Sequence, residues 1–195
     1  MESAVDLVRW KEEKIENKVY YICPSANPRH SQVIDKLYLR FGVYLEQSKE
    51  GKKCRAFTDH IDVYLDEGKA EYVVPDLSIL CDRSKFKPNG YHGVPTLIVE
   101  VISPTSIKHD TVTKFNLYEK YGVKEYWLVD YMSQSIKQYF LHKGKYQLMS
   151  VIVVLDEYDL KRLTQIEKDN YTTIIKPTIF ESLEIDVSKI FEDLY

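Results

Sequence analysis

Three ionisable side chains stand in stretches that otherwise read as core, and together they suit metal and phosphate chemistry. Asp76 lies in Val73-Val74-Pro75-Asp76-Leu77-Ser78-Ile79-Leu80, and Glu100 lies in Thr96-Leu97-Ile98-Val99-Glu100-Val101-Ile102-Ser103. Lys114 is the middle member of a series, Asp110, Lys114 and Tyr118, with four-residue steps that share one helix face. A carboxylate inside an apolar strand is costly unless it is paired or bound to a cation. Carboxylate oxygens are the ligands Mg²⁺ favours, usually one or two from the protein together with substrate phosphate. A cation held there acidifies water and offsets charge on a phosphoryl oxygen. A lysine beside it can orient that water and stabilise the transition state. The backbone carbonyl of Val101 is placed to complete the metal shell. Each group alone also has a structural explanation: Asp76 caps a turn after Pro75, and Glu100 pairs internally with Lys114. All three in this order point to a site.

The elements that must hold these groups follow from periodicity. Tyr72–Cys81 and Thr96–Ser103 read as strands, the second apolar on both faces and so covered on both sides. Ile107–Tyr121 reads as a helix stopped by Gly122, and Lys124–Tyr131 as another strand. Strand, helix and strand in about 35 residues make a βαβ unit whose right-handed crossover leaves its strands parallel. Upstream, Ala4–Glu16 reads as a helix and Val19–Cys23 as a short strand. Ser25 or Asn27 then caps a long helix over Arg29–Gln47. Cys54–Leu65 alternates as a half-buried strand, and the Asp66-Glu67-Gly68 turn pairs it with Tyr72–Cys81. Asp82–Val94 reads as a loop. Ser135–Leu141 and Lys145–Leu155 read as a hairpin, Asp156–Asn170 as an acidic loop or short helix, Thr172–Ile175 as a strand, and the region near Val187–Leu194 as a final helix. The expected architecture is a single α/β domain over residues 1–195 with a mixed sheet.

Composition narrows the function classes. The net charge is −3, but it is unevenly spread: residues 156–195 carry ten acidic and five basic side chains, leaving 20 acidic and 22 basic in residues 1–155. The part with the candidate site is thus slightly basic, with clusters at Lys49/Lys52/Lys53/Arg55 and Arg83/Lys85/Lys87 that read as solvated loops. Charge alone neither supports nor excludes a phosphate-backbone partner. Cys23, Cys54 and Cys81 are odd in number, far apart and without a CxxC pair. They argue against a disulfide framework or a zinc site and for a reducing compartment. The apolar run Val151–Leu155 is too short to span a bilayer, and the N-terminus lacks a signal pattern. A cytoplasmic protein without membrane association is expected.

The motifs resemble one family. Val74-Pro75-Asp76, Pro95–Ser106 around Glu100, Asp110-(x)3-Lys114-(x)3-Tyr118 and Gly122–Asp130 around Tyr126-Trp127 are similar to the Uma2 family. Its bacterial members are classed as restriction endonucleases of the PD-(D/E)XK superfamily. The resemblance is dense over residues 72–131. It implies a restriction-endonuclease-like core with a mixed central sheet flanked by helices. It also implies an endonuclease that hydrolyses DNA phosphodiesters by a water activated through Mg²⁺ or Mn²⁺. In those terms Asp76, Glu100 and Lys114 are catalytic, and Asp76, Glu100 and the Val101 carbonyl hold metal. The superfamily pattern puts the lysine beside the second acid, where this chain has Ile102; the resemblance assigns its role to Lys114 on the following helix. Tyr118 and Asp110 are neighbours of the site. The family tends to show Gly-Glu before its first strand where this chain has Asn17-Lys18, so Glu13 or Glu16 is the candidate for an added acid. His30 matches a family position at the start of the long helix, whereas His92 and His109 show no ligand spacing. Two alternatives remain open: a catalytically silent interaction module with a tyrosine-rich surface suited to a partner or homodimer, and a hydrolase acting on a smaller phosphate ester.

Overall fold

The computed structural model describes residues 11–22, 27–68 and 71–195. The chain begins there with antiparallel strands β1 (Lys11–Ile15) and β2 (Lys18–Ile22), joined through Glu16 and Asn17 at φ of 50° and 62°. This part of the segment expected to be helical is a hairpin; residues 1–10 lie outside those described. Its burial alternates along the chain, with Glu13 and Ile15 turned inward, a two-residue period that a strand satisfies and a helix does not.

Helix α1 (Pro28–Gln47) starts where the sequence places it. Asn27 caps it by accepting from the Arg29 N–H, Pro28 occupies the first turn, and Val33, Ile34, Leu37, Phe41 and Leu45 form its buried stripe. The other cap candidate, Ser25, lies outside the described residues. Next come β3 (Arg55–Thr58), β4 (Val63–Tyr64) and β5 (Leu77–Leu80). The single strand expected over Cys54–Leu65 is therefore broken, and its second half joins a small separate sheet. That sheet is completed by β6 (Phe86–Lys87) and β7 (Gly90–His92), which lie in the stretch read as a loop.

Strand β8 (Leu97–Ile102) leads into a π-helical turn (His109–Lys114) continuous with α2 (Phe115–Tyr121). Gly122 ends α2 in the left-handed region, at φ 86°. Then follow β9 (Glu125–Asp130) and the hairpin β10 (Ser135–His142) and β11 (Lys145–Val153). The acidic stretch beyond holds two short helices, α3 (Glu157–Arg162) and α4 (Gln165–Asn170). Strands β12 (Ile174–Ile175) and β13 (Ile185–Asp186) and helix α5 (Ser188–Phe191) complete the chain.

The central sheet has the order β11-β10-β9-β8-β5-β3, with β8 and β9 parallel and every other pair antiparallel. It is the mixed sheet the βαβ unit requires. Strand β8 distributes its side chains to two layers. Leu97, Val99 and Val101 pack with Leu37 and Phe41 of α1 and with Trp127, while Ile98 and Ile102 pack with Leu117, Tyr118 and Tyr126 on the α2 side. Glu100 belongs by alternation to the α2 side. Ile190 and Phe191 of α5 join the α1 layer. No helix among the described residues is long and apolar enough to cross a membrane.

The cysteines correct one expectation. Cys54 and Cys81 form a disulfide, although their separation of 27 residues gave no hint of it. The register pairs Arg55 with Leu80, so the next residue outward on each strand, Cys54 and Cys81, must also face each other. Proximity came from strand pairing, which an odd cysteine count cannot reveal.

Candidate active site

The two strand carboxylates meet because of register. Leu77 pairs with Val99, so one step further along the antiparallel ladder brings Asp76 opposite Glu100. The Val101 N–H donates to Asp76 Oδ2 at 2.9 Å, and the Asp76 N–H donates to Glu100 Oε2 at 3.3 Å. Both carboxylates border a cleft of about 1200 Å³ whose wall also includes Lys11, His30, Val101, His109, Asp110 and Lys114. Ser103, Thr105, Ser106 and Tyr20 also line it.

Lys114 reaches the sheet from the π-helical turn. Its Nζ lies 2.9 Å from Glu100 Oε1, 2.9 Å from Glu13 Oε1 and 3.8 Å from Asp110 Oδ1. The wider π turn places Asp110 and Lys114 both inward. Tyr118, one turn on, donates its hydroxyl to Glu100 Oε1 at 2.8 Å. Lys114, on the helical segment after β8, thus stands at contact distance from Glu100.

Asp76 is gripped from the other side. Lys11 Nζ lies 3.1 Å from Asp76 Oδ1, and His30 Nε2 lies 3.3 Å from Asp76 Oδ2. The same His30 nitrogen is 3.0 Å from the Val101 carbonyl oxygen, to which it donates. Glu13 extends the network: it accepts from the Val74 N–H at 2.9 Å and contacts His109 Nε2 at 2.9 Å.

The charges settle unequally. Burial pushes the Asp76 carboxyl up, but Lys11, His30 and Lys114 outweigh it and hold Asp76 well below the usual carboxylate range. Burial likewise opposes ionisation of Glu13, yet Lys114, His109 and the Val74 N–H bring it down to about 2. Glu100 goes the other way: burial pushes it up to about 8 against the pull of Lys114, with Asp76, Asp110 and Glu13 adding to the rise. Burial raises Asp110 as well. For Lys114, burial is outweighed by Glu100, Glu13 and Asp110, and the ammonium is held well above its ordinary value. It is a fixed cation.

Of the residues singled out in the sequence, Asp76, Glu100, Lys114, Tyr118, Asp110, Glu13 and His30 are gathered here, together with the Val101 carbonyl. Glu16 is not: it sits in the β1–β2 turn with an exposed side chain 3.8 Å from Lys120. Two groups that sequence reasoning did not assign also arrive. Lys11 comes in because β1 is a strand and its odd-numbered residues face the site. His109 comes in through Glu13 and packs against Tyr20 with ring centroids 4.6 Å apart. The alternation of Lys11, Glu13 and Ile15 was the available signal for Lys11; His109 had none.

As for a cation, Asp76 Oδ2 and the Val101 oxygen are hard oxygen donors within reach of one point, occupied by His30 Nε2. That donor chemistry fits a divalent ion. Among the described residues, no three His, Cys, Asp or Glu side chains already stand in a metal-holding cluster. The side chains that stand next to those two oxygens are Glu100, now held by Lys114, and His30.

Comparison with known proteins agrees with the fold. The Uma2 family model, described as "Putative restriction endonuclease", matches residues 7–170. An uncharacterized protein of Synechocystis sp., slr1290, is 27% identical over 148 residues, which is 73% of this chain and 74% of that protein. A crystal structure from Anabaena variabilis, titled a "putative nuclease", superimposes with a TM-score of 0.66 at 18% identity, covering 94% of this chain and 91% of that one. At that identity the likeness speaks for the fold.

Proposed function

The chain belongs to the Uma2 family, and from that membership we propose that it is a divalent-metal-dependent nuclease that hydrolyses DNA phosphodiester bonds. The observation that carries the reading is the meeting of Asp76, Glu100 and the Val101 carbonyl at one wall of an open cleft, with Lys114 2.9 Å from Glu100. Asp76, Glu100 and the Val101 carbonyl would hold Mg²⁺ or Mn²⁺. When bound, such a cation supplies acidification of water and neutralisation of charge on a phosphoryl oxygen.

The chain's own residues do the rest. Lys114 remains protonated, so it acts as a positive charge: it orients the attacking water and stabilises negative charge on the phosphate, and it does not abstract the proton. Glu13 and Asp110 hold that ammonium in place. Tyr118 fixes the Glu100 carboxylate by donating to it. Lys11 and His109, on the cleft wall, are suited to the flanking backbone phosphates.

The test is cleavage of supercoiled plasmid and end-labelled duplex with Mg²⁺ or Mn²⁺, comparing the wild type with Asp76→Asn and Glu100→Gln. We expect metal-dependent cleavage that falls at least about 100-fold in each variant, in proportion to the loss of transition-state charge stabilisation. Equal cleavage by folded variants would refute the assignment. A silent interaction module is the second reading, favoured by Lys11 on Asp76 Oδ1, whose ammonium balances that carboxylate without a metal ion. Failure of the wild type to cleave, with Mn²⁺ binding also absent, would decide for it.

A further inference from the structure

His30 contacts two of the three atoms assigned to the metal. Its Nε2 is 3.0 Å from the Val101 oxygen and 3.3 Å from Asp76 Oδ2. A histidine kept only as a hydrogen-bond donor needs one acceptor. Donors that share an octahedral ion with bonds of about 2.1 Å stand about 3.0 Å from their cis neighbours. The spacing around His30 Nε2 is close to that figure in both directions. The side chain is also held rather than free: it is 12% exposed and sits in the first turn of α1, behind the Asn27 cap.

We infer that His30 is a direct ligand of the metal, bound through Nε2, and that the centre takes a first-row transition ion such as Mn²⁺ in preference to Mg²⁺. This rests on the reading that Asp76 and the Val101 carbonyl hold a cation. The hydrogen now directed at the Val101 oxygen moves to Nδ1 in the liganded form, and the nitrogen shifts by a fraction of its present contacts to share the ion with both oxygens. Mg²⁺ favours an all-oxygen shell with several waters, whereas imidazole nitrogen suits transition ions. Replacing a water by His30 therefore tilts selectivity between two ions that the carboxylates alone would treat similarly. It also ties α1 to the middle of the sheet, at β8 and the start of β5, so the helix that covers this face becomes part of the site.

The experiment is calorimetric titration of the full chain with Mn²⁺ and with Mg²⁺, joined to pulsed electron paramagnetic resonance of the Mn²⁺ form. The proteins compared are the wild type, His30→Gln, His109→Gln and Asp76→Asn, each checked for folding by circular dichroism. We expect the wild type to bind Mn²⁺ at least about tenfold more tightly than Mg²⁺ and to show ¹⁴N coupling. His30→Gln should lose that coupling and at least about tenfold of Mn²⁺ affinity, with Mg²⁺ affinity little changed. His109→Gln should keep the coupling. Mn²⁺ binding that needs Asp76 but shows no ¹⁴N coupling, or that is as tight or tighter in His30→Gln, overturns the His30 assignment and leaves the proposed function standing. No binding of either ion by the wild type overturns the cation reading itself.

Discussion

Lys114→Met isolates the charge at the centre of the network, because methionine keeps most of the buried stem and removes the ammonium. In the native protein that ammonium, 3% exposed, faces Glu13 and Glu100 at 2.9 Å each and Asp110 at 3.8 Å. Without it three buried carboxylates confront one another. Removing one partner of a buried ion pair costs about 3–5 kcal/mol, chiefly because the remaining charge is left uncompensated. With a urea slope of about 2 kcal/mol/M, the unfolding midpoint should drop by roughly 1.5–2.5 M with the slope unchanged. The measurement is urea unfolding followed by tryptophan fluorescence in EDTA, so that no divalent cation substitutes for the lysine.

The pH dependence makes the origin of the loss visible. In the variant, the orphaned carboxyls have folded-state values above their unfolded ones, so their penalty is larger at pH 7.5 than at pH 5 and fades as the pH falls toward the ordinary carboxylate range. The gap between wild type and variant should therefore narrow between pH 7.5 and pH 5. Lys120→Met is the control: its side chain is 57% exposed and 3.8 Å from Glu16, so the change should stay within about 0.5 kcal/mol. A Lys114→Met midpoint equal to that of the wild type, or a deficit that does not vary with pH, would refute the electrostatic account.

Other substitutions test the scaffold. Glu125→Gln should destabilise by about 2–4 kcal/mol in thermal unfolding. Its buried carboxylate accepts from Trp127 Nε1 (2.7 Å), Gln138 Nε2 (2.7 Å), the Thr178 N–H (2.9 Å) and the Thr178 hydroxyl (2.6 Å), and an amide group meets those donors with donors of its own. Ser78→Ala should leave stability unchanged or raise it by up to about 1 kcal/mol, since the fully buried Ser78 hydroxyl has no hydrogen-bond partner among the described residues. Gly122→Ala should cost about 1 kcal/mol by melting temperature: an added Cβ meets no atom within 4 Å, so the penalty is the left-handed backbone at φ 86° alone.

What the sequence made legible was whatever a short period encodes. The stripe of α1, the apolar strands β8 and β9, their crossover and the final hairpin all follow from spacing within one element. Asp76, Glu100 and Lys114 were legible for the same reason, as charges that break an apolar or helical pattern. What stayed hidden depended on pairing between distant segments. The Cys54–Cys81 bond follows from the β3–β5 register. Lys11 enters the site because Lys11–Ile15 pairs as a strand, although its charge pattern suits a helix equally. His109 becomes part of the network through Glu13, 96 residues away in sequence.

Glu125 shows the limit of the rule that found Glu100. Both are buried carboxylates in apolar parallel strands, exposed by 0% and 1%, and by sequence they are the same signal. Their surroundings differ. Glu125 is met by neutral donors from Trp127, Gln138 and Thr178, which satisfy it completely and leave nothing for a ligand. Glu100 is met by a lysine and a tyrosine beside an open cleft, and burial pushes it up to about 8, so its charge depends on what enters. A buried acid is therefore a candidate for chemistry only when its partner is a charge that a substrate or cation can replace. That distinction lives in the layer packed over the strand, where the strand's own sequence carries no information.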